Sequence, residues 1–239
     1  MQTGERYKQD QFARQIQYFD FGSTPPTRLV IHHTYNPKLD EWNGRPTYRG
    51  ILNYYKRKGW EAYPHFFVAP DGVWCMSDPY EPGIHAGDGN ATYKLPGGKL
   101  VKGYGWKYVP GAILHDYSLG IEIVGDYDKK RWSGKMKERA LHTISTLRKK
   151  LDIDDKHIEF HRDYSTKSCP GDAITKDWLY QQLEVYENRT TPEPSDYAKQ
   201  AWDWFIEEGF DKSLHPHQTM SAESIVTLLH NFKNKYLDE

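Results

Sequence analysis

The run Ser118-Leu119-Gly120-Ile121-Glu122-Ile123-Val124-Gly125 is the most apolar strand candidate in the chain, yet it carries a carboxylate in its middle. Side chains alternate across a strand, so Glu122 points away from Ile121 and Ile123. The other elements can be read around it. Residues 28–31 form a first core strand that runs into His32 and His33. From Thr47, an expected N-cap, Tyr48, Ile51, Leu52 and Tyr55 fall at helical spacing, and Gly59 is placed to stop the helix. His65-Phe66-Phe67-Val68-Ala69 and Val73-Trp74-Cys75-Met76 flank Pro70-Asp71-Gly72, which predicts a hairpin. A long helix starts at Ser133, its stripe made of Met136, Ala140, Leu141, Ile144, Leu147 and Leu151. A short strand over 157–161 delivers His161 at its end, and Trp178, Leu179, Gln182 and Leu183 suggest a closing helix. Strands alternating with helices, with one hairpin among them, predict an α/β fold: a mixed central sheet covered by helices.

Between these elements, residues 83–110 are rich in Gly, Lys and Tyr with little periodicity. They read as a long loop bordering a cleft. The polar lead-in, residues 1–27, holds a short helix around Phe12, Ile16 and Phe19. Residues 188–196, with Thr190-Thr191-Pro192-Glu193-Pro194, read as a linker. Beyond it, 197–239 carry two amphipathic helices, one with Ala201, Trp202, Phe205 and Ile206, the other with Ile225, Val226, Leu229 and Phe232. The expected organisation is therefore a main domain over 1–187, a linker, and a small helical module.

At 239 residues and a formal charge of -1, the chain has no electrostatic signature for nucleic acid or an anionic membrane surface. Its start, Met1-Gln2-Thr3-Gly4-Glu5-Arg6-Tyr7-Lys8, is polar and continues so, which predicts neither a signal peptide nor a membrane span. Two cysteines are too few for a disulfide framework and agree with synthesis in a reducing cytoplasm. Cys75 lies in an apolar run and reads as a small core residue. The 18 tyrosines and 8 tryptophans give saccharide binding some weight, because flat amphipathic rings stack on sugar faces.

The chemistry-bearing stretch is His161-Arg162-Asp163-Tyr164-Ser165-Thr166-Lys167-Ser168-Cys169-Pro170-Gly171. It joins an imidazole and a thiol, a zinc ligand pair, with a lysine able to act as an electrophile. Catalytic zinc takes three protein ligands and keeps a fourth position open, so a third must come from elsewhere. The strand ending in His32-His33 is the best source, and on spacing alone either histidine serves.

Taken in order, His32-His33-Thr34, His65-Phe66 before Asp71-Gly72, His85-Ala86-Gly87, Ser118-Leu119-Gly120-Ile121-Glu122, and His161 with Lys167 and Cys169 resemble the motifs of a known family. These are the zinc-dependent N-acetylmuramoyl-L-alanine amidases, which include phage endolysins, bacterial recycling amidases and peptidoglycan recognition proteins. The resemblance spans residues 29–183. It implies one zinc per chain on His32, His161 and Cys169, with His33 outside the ligand set. His85 is implied to line the substrate groove and His65 to belong to the sheet. Some members use a glutamate where Glu122 stands, others a tyrosine just before the strand of His65. Here Pro64 puts Tyr63 one residue out of register, so Glu122 is expected as the base, Tyr63 as an auxiliary and Lys167 as the oxyanion stabiliser.

On this resemblance the chain is expected to be a phage-type endolysin. It would be held in the host cytoplasm until release and would then cut the amide between N-acetylmuramic acid and L-alanine in bacterial peptidoglycan. The alternative is a recognition protein that binds peptidoglycan without cutting. Retained Cys169 discriminates, since non-cutting relatives commonly lose it. The tail resembles helical carboxy-terminal modules of some endolysins and a single unit of S-layer-type wall anchors, which implies wall targeting; the alternative is an element for docking or dimerisation.

Overall fold

The computed structural model describes residues 1–103 and 111–190. Two compact units divide the chain, Met1–Tyr186 and Glu187–Glu239. The first is built on strands β1 (Arg6–Tyr7), β2 (Arg28–His33), β3 (Phe66–Ala69), β4 (Gly72–Cys75), β5 (Ala91–Lys94), β6 (Leu100–Gly103), β7 (Ile113–Ile123) and β8 (Ile158–Phe160). Four helices accompany them: α1 (Gln9–Tyr18), α2 (Arg45–Arg57), α3 (Gly134–Leu151) and α4 (Lys176–Thr190). The central sheet runs β1-β4-β3-β7-β2-β8. Its β3-β7-β2-β8 part is parallel, and the β1-β4-β3 edge is antiparallel. The expected mixed sheet covered by helices is what forms.

Period-two alternation sorts the two faces. Leu29 and Ile31 of β2, Phe66 and Val68 of β3, and Leu119, Ile121 and Ile123 of β7 share a core with Phe12 and Ile16 of α1, Ile144 and Leu147 of α3, and Leu179 and Leu183 of α4. Most of these are fully buried, each worth about 1.5–3 kcal/mol of transfer free energy for the larger side chains. The opposite face carries Phe67, Ala69, Trp74 and Val124 under Tyr48, Ile51, Leu52 and Tyr55 of α2. Register places His32 beside Glu122, and Glu122 beside Phe67, on that second face.

Three local expectations are corrected. Residues 83–110 are not one irregular loop: β5 and β6 form an antiparallel hairpin, and β5 pairs with the first half of β7. Helix α2 begins before Thr47, with Gly44 at the N-cap and a proline in the first turn, where the missing N–H costs nothing. The Thr47 hydroxyl instead accepts the Asn43 N–H at 2.9 Å. Residues 188–190, expected in the linker, are the end of α4, while the rest of the linker and the helical module over 197–239 lie outside the described residues. No helix among the described residues is long and apolar enough to cross a membrane.

Candidate metal centre

His32, at the end of β2, is 1% exposed. His161 begins the turn that follows β8, and β8 pairs directly with β2. The two imidazoles lie 4.6 Å apart, centre to centre. Cys169 arrives from the loop beyond, held by a clasp that sequence reasoning overlooked: Arg162. Its N–H donates to the Cys169 carbonyl at 2.9 Å, and its guanidinium donates to the carbonyls of Ser168, Gly171 and Ile174. Gly171 is required there, because its φ is +107° and a Cβ would sit 2.3 Å from the Tyr127 carbonyl carbon.

Ligand atoms of His32, His161 and Cys169 all fall within 4.8 Å of one another. A tetrahedral ion of zinc's size holds N and S ligands about 3.6 Å apart, and Cys169 Sγ lies 3.8 Å from His32 Nδ1. The donor set fits such an ion. The His33 N–H donates to Cys169 Sγ at 3.3 Å, a contact that favours sulfur carrying negative charge.

Electrostatics point the same way. Burial, reinforced by His85 and His161, holds the His32 pKa well below the ordinary 6.5. Burial, then the Lys167 charge, lowers His161 to about 4. Both rings are therefore neutral at pH 7, with a lone pair to offer. The Cys169 thiol is pushed up by burial and by Glu122, so ionising it calls for a cation alongside.

Glu122 is the fourth member. Its Oε1 lies 4.0 Å from His32 Nδ1, and its Oε2 is buried with no hydrogen-bond partner among the described residues. Burial raises the carboxyl to about 8, against the lowering effect of Lys167. Lys167 itself is exposed on the loop between His161 and Cys169, and its charge acts on His32, His161, Glu122 and Cys169 alike.

A cleft of about 590 Å³ opens beside Glu122, lined in part by Thr34, Asn36, Ile51, Tyr54 and Tyr55. Tyr55 was read from the sequence as one residue of an apolar helix stripe. Burial and the nearby Glu122 hold its phenol well above the usual range, so it stays protonated at the cleft wall. Tyr63 is not part of that lining: its ring stacks on Tyr55, 5.6 Å away and nearly parallel. His85 is buried behind His32, its Nδ1 3.1 Å from His32 Nε2. His65 stands just before β3 and is tied to β7, its Nδ1 accepting the Gly120 N–H at 2.9 Å.

A second group, His33 with Asp126 and Asp128, can also be drawn together around an ion. There the Tyr127 N–H donates to His33 Nδ1 at 3.2 Å, which leaves the ring proton on Nε2. His33 is thereby a donor, as suits a residue outside the ligand set.

Residues 22–172, which hold His32, Glu122, His161, Lys167 and Cys169, match the family model described as N-acetylmuramoyl-L-alanine amidase. The chain belongs to that family. Solved structures similar to this amidase-family chain include the endolysin N-acetylmuramoyl-L-alanine amidase LysCS from Clostridium intestinale URNW. It is 18% identical, with a TM-score of 0.49 over 67% of this chain and 85% of that one. The Drosophila peptidoglycan recognition protein SD is 20% identical, with a TM-score of 0.48 over 66% of this chain and 81% of that one. No curated protein sequence matches this chain.

Proposed function

We propose that the chain is a zinc-dependent N-acetylmuramoyl-L-alanine amidase of the phage endolysin type. It hydrolyses the amide between the lactyl group of N-acetylmuramic acid and L-alanine in bacterial peptidoglycan. The observation that carries this reading is the His32, His161, Cys169 triad, with His32 and Cys169 buried and His161 partly so, and an unpartnered carboxyl, Glu122, against it.

His32, His161 and Cys169 would hold one zinc. Bound there, it would acidify a water and polarise the scissile carbonyl. Glu122 takes a proton from the attacking water and returns it to the leaving amine, and its free Oε2 is the atom available for that transfer. Lys167 stabilises the negative charge that develops on the amide oxygen, a contact felt in the transition state more than in the bound substrate. Tyr54 supplies a ring face along the cleft for the sugar or the stem peptide. Tyr55, as a protonated donor on that wall, takes the part that the sequence assigned to Tyr63.

The test is to incubate purified cell walls with the protein, with and without a chelator, and to assay new amino groups and new reducing ends separately. An amidase frees the amino terminus of L-alanine and leaves glycosidic bonds whole. Reducing ends without new amino termini would refute the amidase reading. Wall binding with neither product would identify a recognition protein instead.

A further inference from the structure

His85 makes a contact that the reaction above does not use. Its Nδ1 lies 3.1 Å from Nε2 of His32, and both rings are buried. The other nitrogen of His32, Nδ1, is the one facing Cys169 Sγ and Glu122, at 3.8 Å and 4.0 Å. If Nδ1 offers its lone pair to a metal, the ring proton resides on Nε2, and that N–H donates to His85 Nδ1. His85 then carries its own proton on Nε2, 3.4 Å from both the carbonyl and the hydroxyl oxygen of Ser118. The Ser118 hydroxyl donates onward to the Gly89 carbonyl at 2.6 Å, which leaves its lone pairs free to accept. Every donor in this chain points away from the metal site.

We propose that His85 is a positioning residue: it accepts the His32 Nε2–H and so locks the tautomer and ring angle with which His32 Nδ1 meets the metal. This rests on the metal reading above and adds to it a residue that touches neither metal nor substrate.

The surroundings of His85 are built to hold that ring in place. The His85 and Ala86 N–H groups donate to Asn90 Oδ1 at 3.0 and 2.6 Å, and the Ser118 N–H donates to the Asn90 carbonyl at 2.9 Å. The loop carrying His85 is thus stitched to β7. Gly120 leaves the space, since a Cβ there would stand 2.6 Å from His85 Cγ. A merely space-filling ring has no need of two nitrogens matched to partners on opposite sides. Groups that fix a metal-bound imidazole in this way typically contribute 10- to 100-fold in metal affinity.

The experiment measures zinc affinity of the full chain by competition with a chromogenic chelator, for the wild type, His85→Leu and His85→Asn. Leucine fills the space without accepting, whereas asparagine Oδ1 takes the place of ring Nδ1. The expected result is zinc binding weakened about 10- to 100-fold by His85→Leu and largely restored in His85→Asn. Wild-type affinity in His85→Leu, or asparagine as poor as leucine, would overturn the proposal. A wild-type chain that takes up no zinc would refute the metal reading instead. Nitrogen-15 spectra of the metal-free wild type decide the positioning role independently, also where a variant does not fold. They should report His32 with its proton on Nε2, and a proton on Nδ1 would overturn the assignment.

Discussion

Glu122 should make the metal-free protein less stable as pH rises, and Glu122→Gln should remove that penalty. The carboxyl is raised from its ordinary 4.5 to about 8, burial being the cause. Below pH 4.5 it is protonated both folded and unfolded, so it has no effect on stability. Between 4.5 and 8 the unfolded chain ionises it freely while the folded chain does not, and stability falls with each step of pH. Above 8 the loss is complete. At about 1.4 kcal/mol per pH unit, it amounts to about 5 kcal/mol at pH 9 and about 3 kcal/mol at pH 7. Against a total stability of about 5–15 kcal/mol, that is enough to bring the metal-free wild type close to unfolding in alkaline buffer.

The assay is urea unfolding followed by tryptophan fluorescence in the presence of a chelator, at pH 4.5, 7 and 9, for the wild type and Glu122→Gln. The two curves should nearly coincide at pH 4.5 and separate progressively, the variant being the more stable. Zinc should shrink the separation, because a cation beside the carboxylate favours its charged form. The same variant should lose wall hydrolysis by about 10²-fold or more, as expected for a missing general base. A stability difference that is constant across pH, or that vanishes at pH 9, would refute the account of Glu122 as a carboxyl held neutral by burial.

Cys169→Ser should lose most of the bound zinc, read by metal analysis after gel filtration, because a hydroxyl is a far poorer ligand than a thiolate. Lys167→Ala should lower kcat while KM on a soluble muropeptide changes little, since its side chain is exposed and acts on developing charge. Gly171→Ala should destabilise by about 1–3 kcal/mol and weaken zinc binding as well, because relieving its clash with Tyr127 displaces the loop that carries Cys169. A chain ending at Thr190 should keep its zinc and its turnover of small muropeptides, since every site residue lies within Met1–Tyr186, and should attach less to intact walls. Precipitation or loss of zinc in that shortened chain would show that the tail belongs to the main core.

Elements held by apolar periodicity were legible in advance: β2, β3, β4, β7, α3 and the turn after β8 that presents His161. What escaped depends on partners remote in sequence. The β5–β6 hairpin has little apolar pattern, because its strands pair, among the described residues, with each other and with the first half of β7, where burial is partial. The two-residue β1 is defined only by its pairing with Trp74 and Val73. The start of α2 was misjudged because Thr47 looks like a cap, whereas its hydroxyl is engaged by the Asn43 N–H. In the site, the ligand types and the carboxylate follow from residue chemistry and motif order. Arg162 gave no signal beyond standing next to His161, and Tyr55 reads as one more apolar position until the fold turns it toward Glu122.

The alternation in β7 explains why so much of the site converges on one strand. Leu119, Ile121 and Ile123 enter the main core, and this fixes the strand's register. That same register puts the intervening residues on the face of His32, where each has a separate task. Ser118 fastens the loop of His85, Gly120 leaves room for the His85 ring, and Glu122 stands beside His32. A one-residue slip would turn three polar or vacant positions into the core and three large aliphatic ones into the candidate site, so the hydrophobic energy that specifies the sheet also specifies the geometry of that site. Polar residues on a buried strand are expensive. On β7, the buried side-chain atom without a partner among the described residues is Glu122 Oε2, and it lies where the proposed chemistry needs a base.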